Sequence, residues 1–374
     1  MNFSQSNEEF LPWNHPDNVL SYKAVVAVAA VHHTVMKPVV VSVAVSTNIV
    51  NCQVFRRQGL RDRMNLCLCV LSLVDMFYLT FSMVFTASYW AVLINPVVGE
   101  VIYQNARCYL MGVNYGLRET STCINTVIAM ERCLCVLLPL QAKTLVSTRT
   151  MGILLVAIAI SMQFSFITTP IKSFIFPVYD GASNETWWKL TLADSWQKSA
   201  VLRVYDKIDD TIMLVVFPIL TFILVSGATA ITVVSLRAAI LWRQKTSSTS
   251  GEAQVQQVAL TKMLVVVSCF FIAGKVPMIS VTVARIVYPE FSPSGRQCNL
   301  HRVCEMLARY IPYIYSACNF FVYYSRSSRF RSEVKDICRR VRKPVHLARE
   351  QNSGRGDLTG KTFTQIPDYL PVYK

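Results

Sequence analysis

Over most of this chain apolar residues fill long stretches, separated by short polar and charged segments. Seven such stretches stand out, at about 30 to 55, 65 to 91, 108 to 137, 150 to 176, 209 to 242, 258 to 287 and 302 to 324. A run of ~20 predominantly apolar residues is long enough for a helix to cross the hydrocarbon of a bilayer. The pattern therefore predicts an all-α membrane protein, a bundle of seven transmembrane helices. His32, His33, Lys37 and Pro38 interrupt the outer half of the first stretch, which is either an extracellular extension or a kinked turn.

Composition agrees with this reading. With 53% hydrophobic and 16% charged residues among 374, and a mean hydropathy of +0.37, the chain is too apolar for a soluble enzyme of its size. Cytoplasmic loops of membrane proteins carry an excess of Lys and Arg. Here Arg56, Arg57, Arg61 and Arg63 follow the first stretch, Arg243 and Lys245 follow the fifth, and a denser run from Arg326 to Lys343 follows the seventh. The N-terminus is thereby expected outside, and the protein in the plasma membrane. The sequons at Asn2 and Asn184 fall on that side as expected glycosylation sites. No basic region precedes the first stretch, so no cleavable signal peptide is expected. The net charge of +15 reflects the cytoplasmic excess, which is attracted to anionic lipid; no nucleic acid is implied.

One run carries the sharpest chemistry. Glu131-Arg132-Cys133-Leu134-Cys135-Val136-Leu137-Leu138-Pro139-Leu140 places an acid and an arginine at the inner end of a helix otherwise fit for lipid, where charges tend to mark function. It resembles the end of the third helix in rhodopsin-like G-protein-coupled receptors, with Cys133 in place of the usual tyrosine. The resemblance spans about residues 36 to 342. It implies a divergent receptor, similar to invertebrate chemosensory or peptide receptors, that activates a heterotrimeric G protein through Glu131, Arg132, Val136, Pro139 and Tyr323.

Other spans supply further matches. Leu71 to Asp75 is similar to the family's second-helix motif with its buried carboxylate. The resemblance assigns Asn48, Ser121 and Asn319 as that carboxylate's partners, in a pocket able to hold water and a sodium ion at Asp75; a polar knot that only aligns helices is the alternative. Asn319 to Tyr323, followed by Phe330, resembles the end of the seventh helix with Phe320 replacing a proline. Phe271 to Pro277 resembles the sixth-helix switch with Lys275 in place of its tryptophan. Pro218 is retained on the fifth.

Asn114, Arg118, Ser121 and Asn125 recur at helical spacing and predict one polar stripe facing the bundle interior, with Val113, Leu117, Ile124 and Ile128 on other faces. Glu305, Arg309 and Tyr313 repeat the device on the seventh helix. With Lys275, three cations could converge on a cavity open to the outside, and guanidinium forks suit carboxylate or phosphate. Two readings stand: an anion-binding ligand site that also includes Asp210, or internal ion pairs in which Glu119, Glu305, Asp209 and Asp210 neutralise the cations. Asn114 stands where aminergic receptors keep an aspartate, and Tyr313 where opsins keep their retinal-binding lysine; neither ligand class fits.

The resemblance suggests a disulfide from Cys108, whose usual partner in the second outer loop (about 177 to 208) is missing; Cys298 is the candidate. Without it, that Trp-rich loop would be tethered only by packing. The chain divides into an extracellular N-terminus (1 to 29), the bundle (30 to 324), a short amphipathic membrane-surface helix (325 to 343) with Cys338 open to palmitoylation, and a disordered cytoplasmic tail (344 to 374). Ser and Thr residues at 246 to 250 and in the tail offer sites for receptor kinases, and hence arrestin. No nucleophile and base, phosphate loop or metal-spaced cluster suggests an enzyme or a cofactor. The competing class is an ion or small-solute transporter or channel using Arg118, Lys275 and Arg309 as its path.

Overall fold

A computed structural model describes residues 12–138, 141, 146–180, 185–246 and 252–340. Seven long helices dominate the unit that ends at Ser327. They are α1 (Tyr22–Gln58), α2 (Arg63–Ile94), α3 (Pro96–Leu137), α4 (Thr148–Lys172), α5 (from Ala200, ending as Phe217–Thr246), α6 (Glu252–Val287) and α7 (Cys298–Arg326). The first six are long and apolar enough to cross a membrane. The seventh carries Arg302, Glu305 and Arg309 in its first half and owes its place to packing on α1 and α6. Large apolar side chains such as Ile153, Val156, Ile160 and Phe164 on α4 point away from the protein, as a lipid-facing stripe does.

Helix ends follow local chemistry. Asp62 caps α2 by accepting the N–H of Met64 and Asn65, and Asn95 caps α3 by accepting that of Val98. Only Asn95 separates α2 from α3. A Cβ on Gly99 would lie 2.2 Å from the backbone N of Val92, so the turn closes only with glycine there.

Two helices pass through π-turns, His32–Met36 in α1 and Ile212–Val216 in α5, and each is followed by an X-Pro pair, Lys37-Pro38 and Phe217-Pro218. Proline donates no hydrogen bond and its ring pushes against the carbonyl four residues back. The wider turn relieves that conflict, and the Lys37 and Phe217 N–H groups reach back to His32 and Ile212. The interruption at residues 32 to 38 is thus a π-turn within one continuous helix that begins at Tyr22, eight residues ahead of the expected start.

The all-α expectation needs one correction. The fourth helix ends at Lys172, and Ser173–Asp180 pairs antiparallel with Glu185–Leu192 as a hairpin, β1 and β2, with Ser173 opposite Leu192 and Asp180 opposite Glu185. Aromatic and β-branched residues on both strands favour the extended form, and Pro177 is tolerated because each strand of a two-stranded sheet is an edge. Such a hairpin is marginal alone; this one packs on α3. The connection between α4 and α5 is therefore a folded hairpin followed by a short helix (Asp194–Lys198) and the first turns of α5.

The proposed bridge is not formed. Cys108 and Cys298 are both free thiols. Cys108 lies 3.6 Å from the Ser173 carbonyl, under β1. Cys298 is enclosed at the start of α7, where the Asn299 side chain donates to the carbonyls of Trp13 and Leu20 and pins the N-terminal segment.

Among the described residues, two apolar clusters help to hold the bundle. One joins Val41 and Ala44 of α1, Tyr78 and Leu79 of α2, and Tyr310, Tyr313 and Ala317 of α7. The other joins Ala129 and Cys133 of α3, Val225 and Ala228 of α5, Phe271 of α6 and Tyr315 of α7. Residues 328 to 340 belong to a second unit and form a helix that exposes Cys338.

Candidate functional site

Three polar layers lie along α3. At the end of the bundle where α3 finishes, Glu131 is 4% exposed and forms a buried ion pair with Arg132. It has a second guanidinium partner, since Arg63 Nε at the first turn of α2 lies 2.7 Å from Glu131 Oε1. The Cys135 thiol donates to the same oxygen at 3.2 Å. Val136 is half-buried one residue on, and Pro139 lies outside the described residues. Tyr323 is buried on α7 with its ring edge-on to Phe55 at 5.2 Å.

The middle layer centres on Asp75, which is 2% exposed. Ser121 on α3 donates to Oδ1 at 2.5 Å and Ser316 on α7 donates to Oδ2 at 2.8 Å. Asn48 on α1 donates to the Ser316 hydroxyl at 2.9 Å, so four helices meet through one carboxylate. Asn319, expected as a direct partner, is buried one turn further along α7 and makes no hydrogen bond to Asp75; Ser316 holds that role. Asn125 donates to the Tyr315 hydroxyl at 3.1 Å, and the Tyr315 ring stands edge-on to Phe271 of α6 at 5.8 Å. Pro277 sits inside α6, while Pro218 follows the π-turn of α5.

At the hairpin end, Asn114 donates to the Tyr78 carbonyl and to Ser82, whose hydroxyl also meets that of Tyr313 at 3.0 Å. Arg118 pairs with Glu119 at 2.7 Å, and Arg309 pairs with Glu305 at 2.6 Å. Both guanidinium groups lie over the ring of Tyr115, at 4.9 and 5.4 Å from its centroid. The two arginines are thus brought together, but each carries its own carboxylate.

Lys275 differs. Its ammonium donates to Thr122 at 2.9 Å and sits 5.3 Å from the Phe271 centroid, and no carboxylate among the described residues lies within ion-pair distance. The expectation that Asp209 and Asp210 neutralise the cluster fails. Asp206 takes Lys172 at 2.6 Å, with Asp210 3.8 Å from the same ammonium, because the first turns of α5 direct these acids toward the end of α4. Ile124 and Ile128, expected away from the polar stripe, are also buried, since α3 is packed on most of its circumference.

A small open pocket lies between α5, α6 and α7, lined by Leu214, Met278, Val281, Thr282, Arg285, His301, Glu305 and Arg309. Arg285 and His301 were not singled out from the sequence; His301 precedes Glu305 and Arg309 at four-residue spacing on α7 and could have been read from that repeat, whereas the packing of α6 on α7 brings Arg285 to Arg309. Arg63 and Ser316 went unread for the same reason as Arg285. The sequons Asn2 and Asn184 and the residues beyond 340 lie outside the described residues.

The layered arrangement joins a charged hairpin-end cavity, a buried carboxylate linking four helices, and an acid-arginine pair at the opposite end. Among curated proteins none matches the chain in sequence. A family model does, over residues 35–341, which covers nearly all of the helix bundle. The chain belongs to the serpentine-type seven-transmembrane G-protein-coupled chemoreceptor family Srw.

Proposed function

We propose that this chain is a chemoreceptor for a small anionic molecule, set in the plasma membrane with its N-terminus outside, that activates a heterotrimeric G protein at the Arg132 end. The observation that carries the ligand class is the charge balance at the hairpin end. Arg118 and Arg309 have their own carboxylates, Glu119 and Glu305, while Lys275 and Arg285 form no ion pair among the described residues, although the charge of Arg285 reaches Asp210. Buried charge without a partner is costly, so an anion from outside is favoured there. The pocket is small and carries Arg285, Arg309 and Glu305 on its wall, so it suits a small carboxylate or phosphate better than a peptide.

The mechanism follows from the contacts. A ligand anion taken by Arg285 and Arg309 competes with Glu305 for the α7 guanidinium and draws on the α6 face that carries Met278, Val281 and Thr282. A ligand shifts a two-state bundle only through its differential affinity for the two states. Motion of α6 about Pro277 would alter the packing of Phe271 on Tyr315, whose hydroxyl is held by Asn125 of α3. At the far end Arg132 must leave Glu131 to meet the G protein. The oxygens of Asp75, Ser121 and Ser316 are hard donors that would hold a sodium ion, whose charge would compensate the buried carboxylate. The transporter or channel reading is not favoured by membership of a receptor family.

The test is expression with a promiscuous G protein and calcium recording under pools of carboxylates, phosphates, amines and neutral odorants, with Arg132→Ala and Lys275→Met in parallel. A response confined to anions and lost in Arg132→Ala at equal surface expression is expected. A response to amines alone would overturn the ligand class, and one that survives Arg132→Ala would overturn the coupling site.

A further inference from the structure

Glu131 is held twice. Its Oε2 faces Arg132, while Oε1 takes Arg63 Nε at 2.7 Å and the Cys135 thiol at 3.2 Å. Arg63 does not depend on Arg132 for its position. It starts α2 directly after the Asp62 cap, its Nη1 donates to the Val146 carbonyl at 2.8 Å, and its Nη2 lies 3.0 Å from Cys135 Sγ. Arg56, Arg57 and Arg61, from the same basic segment, are exposed and make no such pair among the described residues. The usual role of that segment, an excess of charge outside the hydrocarbon, therefore does not account for Arg63.

The switch poses a problem of charge. When Arg132 turns away, a carboxylate that is 4% exposed would be left buried and unpaired, and breaking a buried ion pair by removing one partner is among the most destabilising single changes. A switch built that way would hardly open. With Arg63 in place, Oε1 keeps its cation and Glu131 stays compensated in both states.

We propose that Arg63 is a positioning residue for the switch: a resident counter-ion that holds Glu131 when Arg132 lets go and so lowers the cost of release. This rests on the reading of Arg132 as the coupling residue, but its first test does not. The melting temperature of the purified full chain in nanodiscs is measured for Arg63→Gln, Arg132→Ala and the double variant, each with Glu131 and with Glu131→Gln.

In the Glu131 background the double variant melts about 5 °C below the sum of the single losses, the scale set by stranding a buried charge. With Glu131→Gln the excess disappears, because there is no charge to strand. Arg63→Lys combined with Arg132→Ala keeps a cation beside Glu131 and melts near Arg132→Ala alone; this pair also carries the test if the glutamine double does not fold. Additive losses, or an excess that persists with Glu131→Gln, overturn the proposal and leave Arg63 as an anchor for Val146.

The second readout is ligand-independent nucleotide exchange on a panel of heterotrimeric G proteins. Arg63→Gln lowers exchange about tenfold, a cost of ~1.4 kcal/mol, in the Glu131 background only. A positive stability cycle with unchanged exchange overturns the switching role. No exchange by any variant, Glu131→Gln included, means that the coupling reading has failed, and the proposed role falls with it even if the stability coupling is seen.

Discussion

Replacing Ser316 by alanine removes one hydroxyl and disturbs the only described contact that joins α1, α2 and α7 through Asp75. The hydroxyl donates to Asp75 Oδ2 at 2.8 Å and accepts from Asn48 at 2.9 Å. A hydrogen bond to a charged group is worth ~1.5–3 kcal/mol in water-soluble proteins, whereas interhelical bonds in membranes average ~0.6 and reach ~1.7 kcal/mol because the separated helices find other partners. Asp75 is 2% exposed and would have few alternatives, so its bond belongs at the upper membrane value. Asn48 keeps the Ala44 carbonyl at 2.9 Å and loses one of its two partners. The sum is about 2 kcal/mol, or a melting temperature lower by ~4 °C at the shallow slope expected of a large chain. The assay is thermal denaturation in detergent at one scan rate, since unfolding of such proteins is kinetically controlled. Ser316→Ala should lose less in an Asp75→Asn background, where the charge that strengthens the bond is gone. A Ser316→Ala variant that melts with the wild type would refute the reasoning, as would equal losses in both backgrounds.

Other outcomes follow from the same geometry. Lys275→Met removes a half-buried cation that has a hydroxyl but, among the described residues, no carboxylate in ion-pair reach, so melting temperature should hold or rise while potency for an anionic agonist falls about tenfold or more, a loss of at least ~1.4 kcal/mol; a concentration-response series on both proteins checks it. Gly99→Ala forces a Cβ into the backbone of Val92, and the yield of folded protein by size-exclusion chromatography should fall sharply, with a melting temperature well below that of the same change at the open Gly227. Glu305→Gln frees Arg309 from its carboxylate, and potency for an anionic agonist should rise, by the same concentration-response measurement. Sodium should raise the wild-type melting temperature relative to a bulky organic cation at equal ionic strength, and Asp75→Asn should abolish the difference.

Much of the candidate site was legible in the chain because its residue types are improbable where they stand. Glu131 and Arg132 in a lipid-fit helix, Asp75 within an apolar run and the polar stripe at Asn114, Arg118, Ser121 and Asn125 each declare themselves against their neighbours. Their partners did not. Ser316 is one of many serines, and its hydroxyl matters only because α7 packs beside α1 and places it between Asp75 and Asn48. Arg63 counted as one basic loop residue among four until the start of α2 was brought against the end of α3. The sequence also left open whether Arg118 and Arg309 were vacant or paired. Helical spacing showed which face they share, while the rotamers that turn Arg118 onto the adjacent Glu119 and Arg309 onto Glu305 depend on Tyr115 lying beneath both.

Hydrophobic length by itself determined the six apolar spans, because a helix in hydrocarbon must satisfy its own backbone and needs ~20 apolar residues to do so. Local chemistry determined the caps at Asp62 and Asn95 and placed irregularity beside Pro38 and Pro218, since those effects act within one turn. What tertiary structure alone decided is which charges are compensated. Among the described residues Glu131 acquired two cations, Lys275 formed no ion pair, and Asp210 was drawn to Lys172. Coulomb and hydrogen-bond energies vary over a few ångströms, and those distances are set by how helices remote in sequence pack together.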